Sequence, residues 1–465
     1  MRRVAVIGIA VVVLLGSGVV TAVRAGFRLP HPAAAPAPAG PTRITDRTGR
    51  VLLDEVRAPG SSPPAGRLAV RAPHFVALVQ RELVQLGFRP GRDPLVVRTT
   101  LDDGRQQAAE QVVRDNLQAN LSRDRGGQLS SALVSMEPGT GQIEAMVGSP
   151  DFSRPGGAFD YASVQPVNIG SSLLPFVYAK ALQDRRIGMD TTILDGPSPY
   201  VLDLQQGRYS VVNYDRRSHG SVPARVALAN VLNIPAVRVE TAAGLPAVVD
   251  VLRQLGLTPR LADGSQTGAV NAPDTSYGPS LVLGGYPVTV LEEVSALSAL
   301  ADLGVARRPE AILRVTDPGG HVLYQADPHR GARPVLDPGV AYITDQALSD
   351  DTNRRLIYGA GSPLHLPDHV AAAIPGTAEN FKAALTGGFT PDLATVVWVG
   401  DVLGADHFMA SGSDGVFVAA PAWHRFMEQA LANVPADHWY AMPADVVRQG
   451  GGYVLTGAPA PASLP

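Results

Sequence analysis

Leu129-Ser130-Ser131-Ala132-Leu133-Val134-Ser135-Met136, then Glu137-Pro138-Gly139-Thr140-Gly141-Gln142, then Ile143-Glu144-Ala145-Met146-Val147 reads as two β-rich runs joined by a turn. Proline and glycine break the middle segment, and the flanking runs have strand length. A hairpin leaves its outer edges unpaired, and the apolar run Thr395–Val399 reads as a further buried strand far along the chain. Between them the spacing predicts helices from Ser171 to about Asp184, over Val222–Val231 and over Leu245–Leu255. Pro421 starts a last helix reaching Ala432, since proline suits a first helical turn. Upstream, Asp102 or Asp103 caps a helix carrying Ala109, Val113, Leu117 and Leu121 at helical spacing. Helices in the middle with strands at both ends predict an α+β domain whose antiparallel sheet joins distant parts of the chain.

The 465 residues are 45% hydrophobic and 17% charged, enough for two folded units with tails. A formal charge of -3 gives no broad basic field, which argues against nucleic acid as a partner. Zero cysteines exclude thiolate catalysis and disulfides. The ten histidines are scattered; the closest pair, His365 and His369 around Asp368, reads as a surface loop, so no metal and no cofactor is expected. The only lysines are Lys180 and Lys382. There is no Gly-x-Ser-x-Gly elbow, Gly-Lys phosphate loop or His-Glu-x-x-His.

Arg2 and Arg3 precede an uncharged run from Val4 to Val23, long enough as a helix to cross a hydrocarbon layer of roughly 30 Å. The expectation is a single-pass anchor at 4–23 in the cell membrane, with the N-terminus cytoplasmic and the body extracytoplasmic. A cleaved signal peptide is the alternative; against it stand the length of the apolar run and Arg24 beside any cut at Ala25. Residues 24–67 read as a Pro-rich spacer containing one strand-like stretch, Thr42–Val56, around the turn Asp46-Arg47-Thr48-Gly49. Residues 68–128 read as a small pedestal, 129–440 as the main domain, and 441–465 as a flexible Gly/Ala/Pro-rich tail.

Arg71-Ala72-Pro73-His74-Phe75, Val97-Arg98-Thr99-Thr100-Leu101-Asp102 and the opening hairpin are followed in order by Gly170-Ser171-Ser172, Asn213-Tyr214-Asp215, Leu232-Asn233-Ile234-Pro235-Ala236-Val237, Ser280-Leu281-Val282-Leu283-Gly284 and Thr390-Pro391-Asp392-Leu393 through Trp398-Val399-Gly400. Together, over about residues 68 to 432, they resemble the linker and transpeptidase domain of a class A penicillin-binding protein. The resemblance implies a β-lactamase/transpeptidase-like fold and a role in peptidoglycan synthesis. The family's glycosyltransferase domain would lie between Thr42-Arg43-Ile44-Thr45-Asp46-Arg47 and Leu68, where only a short connector stands, so glycan polymerisation is not expected.

The resemblance also assigns the site. The family's Ser-x-x-Lys reads Ser171-Ser172-Leu173-Leu174, which keeps the nucleophile and replaces its base with an isobutyl group. Lys180, nine residues past Ser171, lies on the opposite helix face and cannot stand in. Ser-x-Asn reads Val231-Leu232-Asn233, and Lys-Thr-Gly-Thr reads Ile374-Pro375-Gly376-Thr377. The backbone nitrogens of Ser171 and Thr377 would form the oxyanion hole. Pro375 removes a donor from a strand expected to pair with an extended peptide. Ser171 as a plain helix cap and Asn233 as a satisfied amide are the structural alternatives.

Two functions follow as expectations. One is a catalytically inactive scaffold or regulator that binds cell-wall synthesis proteins or peptidoglycan peptides, with Leu174, Val231 and Ile374 converging to close the former cleft. The other is a serine acyltransferase, transpeptidase or carboxypeptidase that uses Ser171 with an altered base such as Glu379 or His219.

Overall fold

The computed structural model describes residues 41–54, 70–125, 128–204, 207–260, 277–402, 407–449, 452–457 and 460–464. The anchor read at 4–23 and most of the spacer lie outside the described residues; among those described, no helix is long and apolar enough to cross a membrane.

The opening hairpin forms as antiparallel strands Leu129–Met136 and Ile143–Val147. Ala394–Asp401 pairs antiparallel with the first of these along its length, Ala394 opposite Met136 and Asp401 opposite Leu129. Ala383–Phe389 and then Ala372–Thr377 complete a five-stranded sheet, with Ala372–Thr377 at one edge. The hairpin and Thr395–Val399 thus share one sheet, as expected.

Strand alternation sends Leu133, Ala145 and Val397 to one face, where they pack with Val113 of helix Asp103–Asn120 and with Trp423 and Phe426 of helix Ala420–Leu431. Ala132, Val134 and Val396 join the larger core on the other face with Val294 and Leu297 of helix Val290–Ala301. Helices therefore cover both faces, which is why the central strands are buried almost throughout. Inside them the Ser135 and Thr395 hydroxyls pair at 2.9 Å, so the buried polar atoms are satisfied.

The pedestal differs from its expected span. Its five strands run in the order Val322–Gln325, Ile312–Thr316, Leu95–Thr99, Thr42–Thr45, Val51–Asp54, so it draws on residues both before 68 and after 128. The reason is that the Leu95–Thr99 strand has two edges to satisfy, and a small sheet needs several strands to be stable. Helix Asp103–Asn120, expected in the pedestal and capped by Asp102 as read, belongs to the main sheet instead. Buried Glu144 joins the two parts, paired with Arg47 at 2.8 Å and with Arg105.

The tail is also ordered where it is described. Val446–Gln449 and Gly452–Leu455 form a hairpin, and Ser463–Leu464 pairs parallel with Thr192–Asp195. Arg185 donates to the carbonyls of Leu455 and Thr456 at 3.3 and 2.9 Å. These anchors are backbone oxygens, to which composition is blind.

Two local departures position the site. Ser171 sits in a 3₁₀ turn, Gly170–Leu173, and the α-helix begins only at Leu174, running to Gln183. Where Val222–Val231 was read as one helix, Gly220–Pro223 is a strand and only Ala224–Ala229 is helical. That helix ends with the Leu232 N–H donating to Ala227 O at 3.0 Å and the Val231 N–H to Leu228 O at 3.0 Å, with Val231 left-handed at φ 53. This is a Schellman cap with valine where glycine is usual.

A left-handed β-branched residue costs about 1–2 kcal/mol. Val231→Asn, which tolerates that conformation, is expected to raise the thermal midpoint slightly; a lowered midpoint would mean that the half-buried valine contributes more by packing than it costs in strain.

The core also buries acids. Glu293, fully buried, is pushed up to about 8 by desolvation, and Glu82 to about 8 by desolvation and the charge of Glu310. Both titrate near 4.5 when unfolded, so the folded state holds extra protons between pH 4.5 and 8. Their contribution to stability is complete below pH 4.5 and is lost as pH rises through 8. Urea unfolding is expected to show stability falling from pH 5 to 8 in the wild type, with a shallower slope in Glu82→Gln/Glu293→Gln; an unchanged slope would remove these carboxyls as its source.

Candidate functional site

Glycine decides where Ser171 sits. Gly170 has φ 58, and a Cβ there would collide with the backbone of Thr377; a Cβ on Gly376 would collide with the carbonyl of Ile169. With neither present, the 3₁₀ turn lies backbone to backbone on the edge strand Ala372–Thr377. The turn and strand that the resemblance pairs as oxyanion donors, Ser171 and Thr377, are therefore adjacent.

A groove of about 310 Å³ opens beside them. Ser171, Pro375 and Thr377 line one side, and Val231 and Asn233 line the other. The sequence-predicted positions Ser171, Val231, Asn233, Pro375 and Thr377 are thus brought together at one site. Leu174 and Ile374 are not: at 0% and 1% exposure they lie in the main core and do not line the groove. Strand alternation explains the split on the edge strand, since Pro375 and Thr377 share one face and Ile374 and Gly376 the other. Leu174 and Ile374 are buried in the same core as expected, but the expected closing of the cleft is corrected: a groove stands open, and of the three aliphatic groups only Val231 lines it.

Ser171 is 7% exposed and lies inside the 3₁₀ turn, with Ile169 and Leu173 at the cap positions of the turn and the following helix, against its reading as a plain cap. Among the described residues no carboxylate, imidazole or amine hydrogen-bonds its hydroxyl. Lys180 pairs with Asp184 at 2.8 Å, one turn further along the helix. Asn233 is half-buried and donates to Val212 O at 2.9 Å. Just behind it, Asn213 donates to both oxygens of Asp195 at 2.7 and 2.8 Å and accepts from the Ile234 N–H.

His219 is not at the groove. Its ring is clamped between Asp195 at 2.6 Å and Asp215 at 3.1 Å, where it braces a loop, so the reading of His219 as an altered base is corrected. Glu379 does line the groove, at a turn where Asn380 and Phe381 are both left-handed at φ 56 and 59.

Among the lining groups that sequence reasoning did not assign to the site are Tyr214, Asp414 and Phe417. Asp414 is 5% exposed, and its Oδ2 accepts from Tyr214 Oη at 2.7 Å; Phe417 projects at the rim, 58% exposed. Burial pushes the Asp414 carboxyl up, opposed by the Tyr214 and Thr377 hydroxyls and by the charge of Arg123. Burial and the Asp414 contact push the Tyr214 phenol up to about 12, so it stays a donor near neutral pH. Tyr214 stood beside the Asn213 signal; nothing in the sequence marked Asp414. The groove thus has a serine hydroxyl, amides, two carboxylates and aromatic walls, and among the described residues no Lys, Arg or His lines it.

Comparison with known proteins places this geometry. Residues 131–402 match the family model described as the penicillin binding protein transpeptidase domain. Penicillin-binding protein 2D of Bacillus subtilis is 28% identical over 377 residues, covering 78% of this chain and 50% of that protein. Penicillin-binding protein 1B of Escherichia coli is 30% identical over 350 residues, covering 72% and 38%. The chain therefore spans half the length of these relatives or less. Among solved structures, penicillin-binding protein 1A from Haemophilus influenzae superposes with a TM-score of 0.71 at 20% identity, over 85% of this chain and 77% of that one. The PonA1 protein from Mycobacterium tuberculosis, in complex with penicillin V, gives 0.65 at 25% identity, over 83% and 99%. The family match covers more than half of the chain, which belongs to the penicillin-binding protein transpeptidase-domain family.

Proposed function

We propose that this chain is a catalytically silent transpeptidase domain serving peptidoglycan synthesis as a scaffold or regulator. On this reading it is held at the outer face of the cell membrane by its N-terminal apolar segment, and it polymerises no glycan. The observation that carries the reading is the position of the would-be base. Leu174 is fully buried in an apolar core, and no other titratable group is hydrogen-bonded to the Ser171 hydroxyl among the described residues. An unaided serine is a poor nucleophile near neutral pH, and losing a general base costs about 100- to 10,000-fold in rate. Leu174 and Ile374, where the family places lysines, support the same conclusion, because replacing a buried ionic group with apolar side chains is often neutral or stabilising.

The altered-base reading keeps one support: Glu379 and Asp414 line the same groove as Ser171. Labelling with fluorescent penicillin decides between the two. No covalent band is expected at concentrations that saturate an active relative, and a stoichiometric adduct mapped to Ser171 by mass spectrometry would overturn the inactive assignment.

A second expectation concerns Leu174 itself. Leu174→Lys places a charge in an apolar core without a partner and should destabilise the fold by several kcal/mol. A variant as stable as the wild type would show that a lysine site persists beneath Ser171.

A further inference from the structure

The two walls of the groove are tied to different parts of the fold. On one side, Asn233 Nδ2 donates to Val212 O at 2.9 Å and the Ile234 N–H donates to Asn213 Oδ1 at 3.2 Å, so the loop after Gly207–Val211 is fastened to helix Asn233–Ala243. On the other, the Gly415 N–H donates to Thr377 Oγ1 at 3.1 Å and Thr386 Oγ1 donates to Gly415 O at 3.1 Å, so the segment carrying Asp414 is fastened to the main sheet. Tyr214 and Asp414, separated by 200 residues of sequence, join the two sides through one bond, Tyr214 Oη donating to Asp414 Oδ2 at 2.7 Å. Both residues line the groove together with Ser171.

The two ends of that bond are held unequally. Asp414 is buried beside the Thr377 hydroxyl, whereas Tyr214 is 52% exposed. Around the tyrosine the loop itself is fixed: Asn213 donates to both oxygens of Asp195, and His219 Nδ1 lies 2.6 Å from the same carboxylate. A phenol half in water swings out by side-chain rotation with little loss of buried area, while the backbone that carries it stays in place. What keeps it in is the bond to Asp414, since a hydroxyl donating to a carboxylate is among the stronger hydrogen bonds.

We propose that the Tyr214–Asp414 bond is a strap across the groove, which holds the Tyr214 ring at the approach to Ser171 and releases it when a ligand enters. The proposal deepens the reading of this groove as a binding site, on which it rests: one side chain regulates entry, and neither wall has to move. Ser171, only 7% exposed, lies behind that strap.

The chain contains no cysteine, so Ser171→Cys in the full chain places a single thiol in the groove. Its labelling rate is measured in detergent with a small reagent, methyl methanethiosulfonate, and a bulky one, fluorescein maleimide; the ratio of bulky to small rates cancels any change in the reactivity of the thiol itself. Adding Tyr214→Phe, which keeps the ring and removes the donor, is expected to raise that ratio about tenfold, the scale of one hydrogen bond to a charged group. Asp414→Asn, which keeps an acceptor oxygen without its charge, is expected to raise it less. An unchanged ratio in Tyr214→Phe overturns the proposal, and a half-exposed tyrosine loses its hydroxyl without endangering the fold. A ratio that rises in Tyr214→Ala and not in Tyr214→Phe overturns it as well, because the bulk of the ring and not the bond then guards the entrance. Penicillin labelling of the wild type keeps the two readings apart: an adduct on Ser171 with a raised ratio in Tyr214→Phe removes only the inactivity, whereas no adduct and an unchanged ratio removes only the strap.

Discussion

Backbone meeting backbone at Gly170 and Gly376 is the constraint on which the site depends. A side chain at either position would push the Ser171 turn off the edge strand and separate Ser171 from Thr377. Glycine carries an entropic cost in the unfolded chain, and here that cost is offset by a contact no other residue permits. The same constraint fixes the groove, since its far wall, through Asn230, is tied to the segment that follows helix Pro338–Ser349. Asn230 donates to Asn353 O at 2.6 Å and accepts from the Ile357 N–H at 2.8 Å. One wall is thus set by close backbone contact and the other by hydrogen bonds from residues remote in sequence, and the groove stands open between them.

That arrangement lets an apolar core and an open groove lie side by side. Leu174 and Ile374 add apolar area to the core beneath the floor, at about 25 cal/mol per Å² removed from water, and draw nothing inward. The polar lining comes from other elements: Tyr214 from the loop after Gly207–Val211, and Asp414 from the start of Gly415–Val418. Core and groove surface are therefore built from different elements. Above the core stands a wall of amides, phenol and carboxylate.

The sequence made some of this legible and concealed the rest for identifiable reasons. The opening hairpin and the Ala394–Asp401 strand were readable because turn residues and β-rich runs report directly on local structure. The neighbouring strand Ala383–Phe389 was not, since Ala383-Ala384-Leu385-Thr386-Gly387-Gly388-Phe389 has few β-branched residues and is a strand because its neighbours on both sides demand one. The pedestal was misjudged because its outer strands come from either side of the span read for it. At the site, Ser171, Asn233 and Thr377 were legible from motif order. Tyr214 and Asp414 meet by a hydrogen bond spanning 200 residues, which no local pattern records. The open groove was missed for another reason: motif position tells which residues stand near the site, not whether Leu174 and Ile374 face the cleft or the core.

The long reach of these pairings bears on how the chain comes to be folded. The Ser135–Thr395 contact spans 260 residues, and the pedestal strand Leu95–Thr99 waits for Ile312–Thr316. A chain made from its N-terminus at about 5–20 residues per second exposes the Leu129–Val147 hairpin for some tens of seconds before Ala394–Asp401 exists to cover its edge. During that interval the hairpin is an unpaired β-surface whose residues are almost all buried in the finished fold, a feature that favours strand addition by the wrong partner. The topology that holds the cleft rigid in the finished molecule thus makes its assembly slow, and makes the order in which segments emerge a physical hazard for the nascent chain.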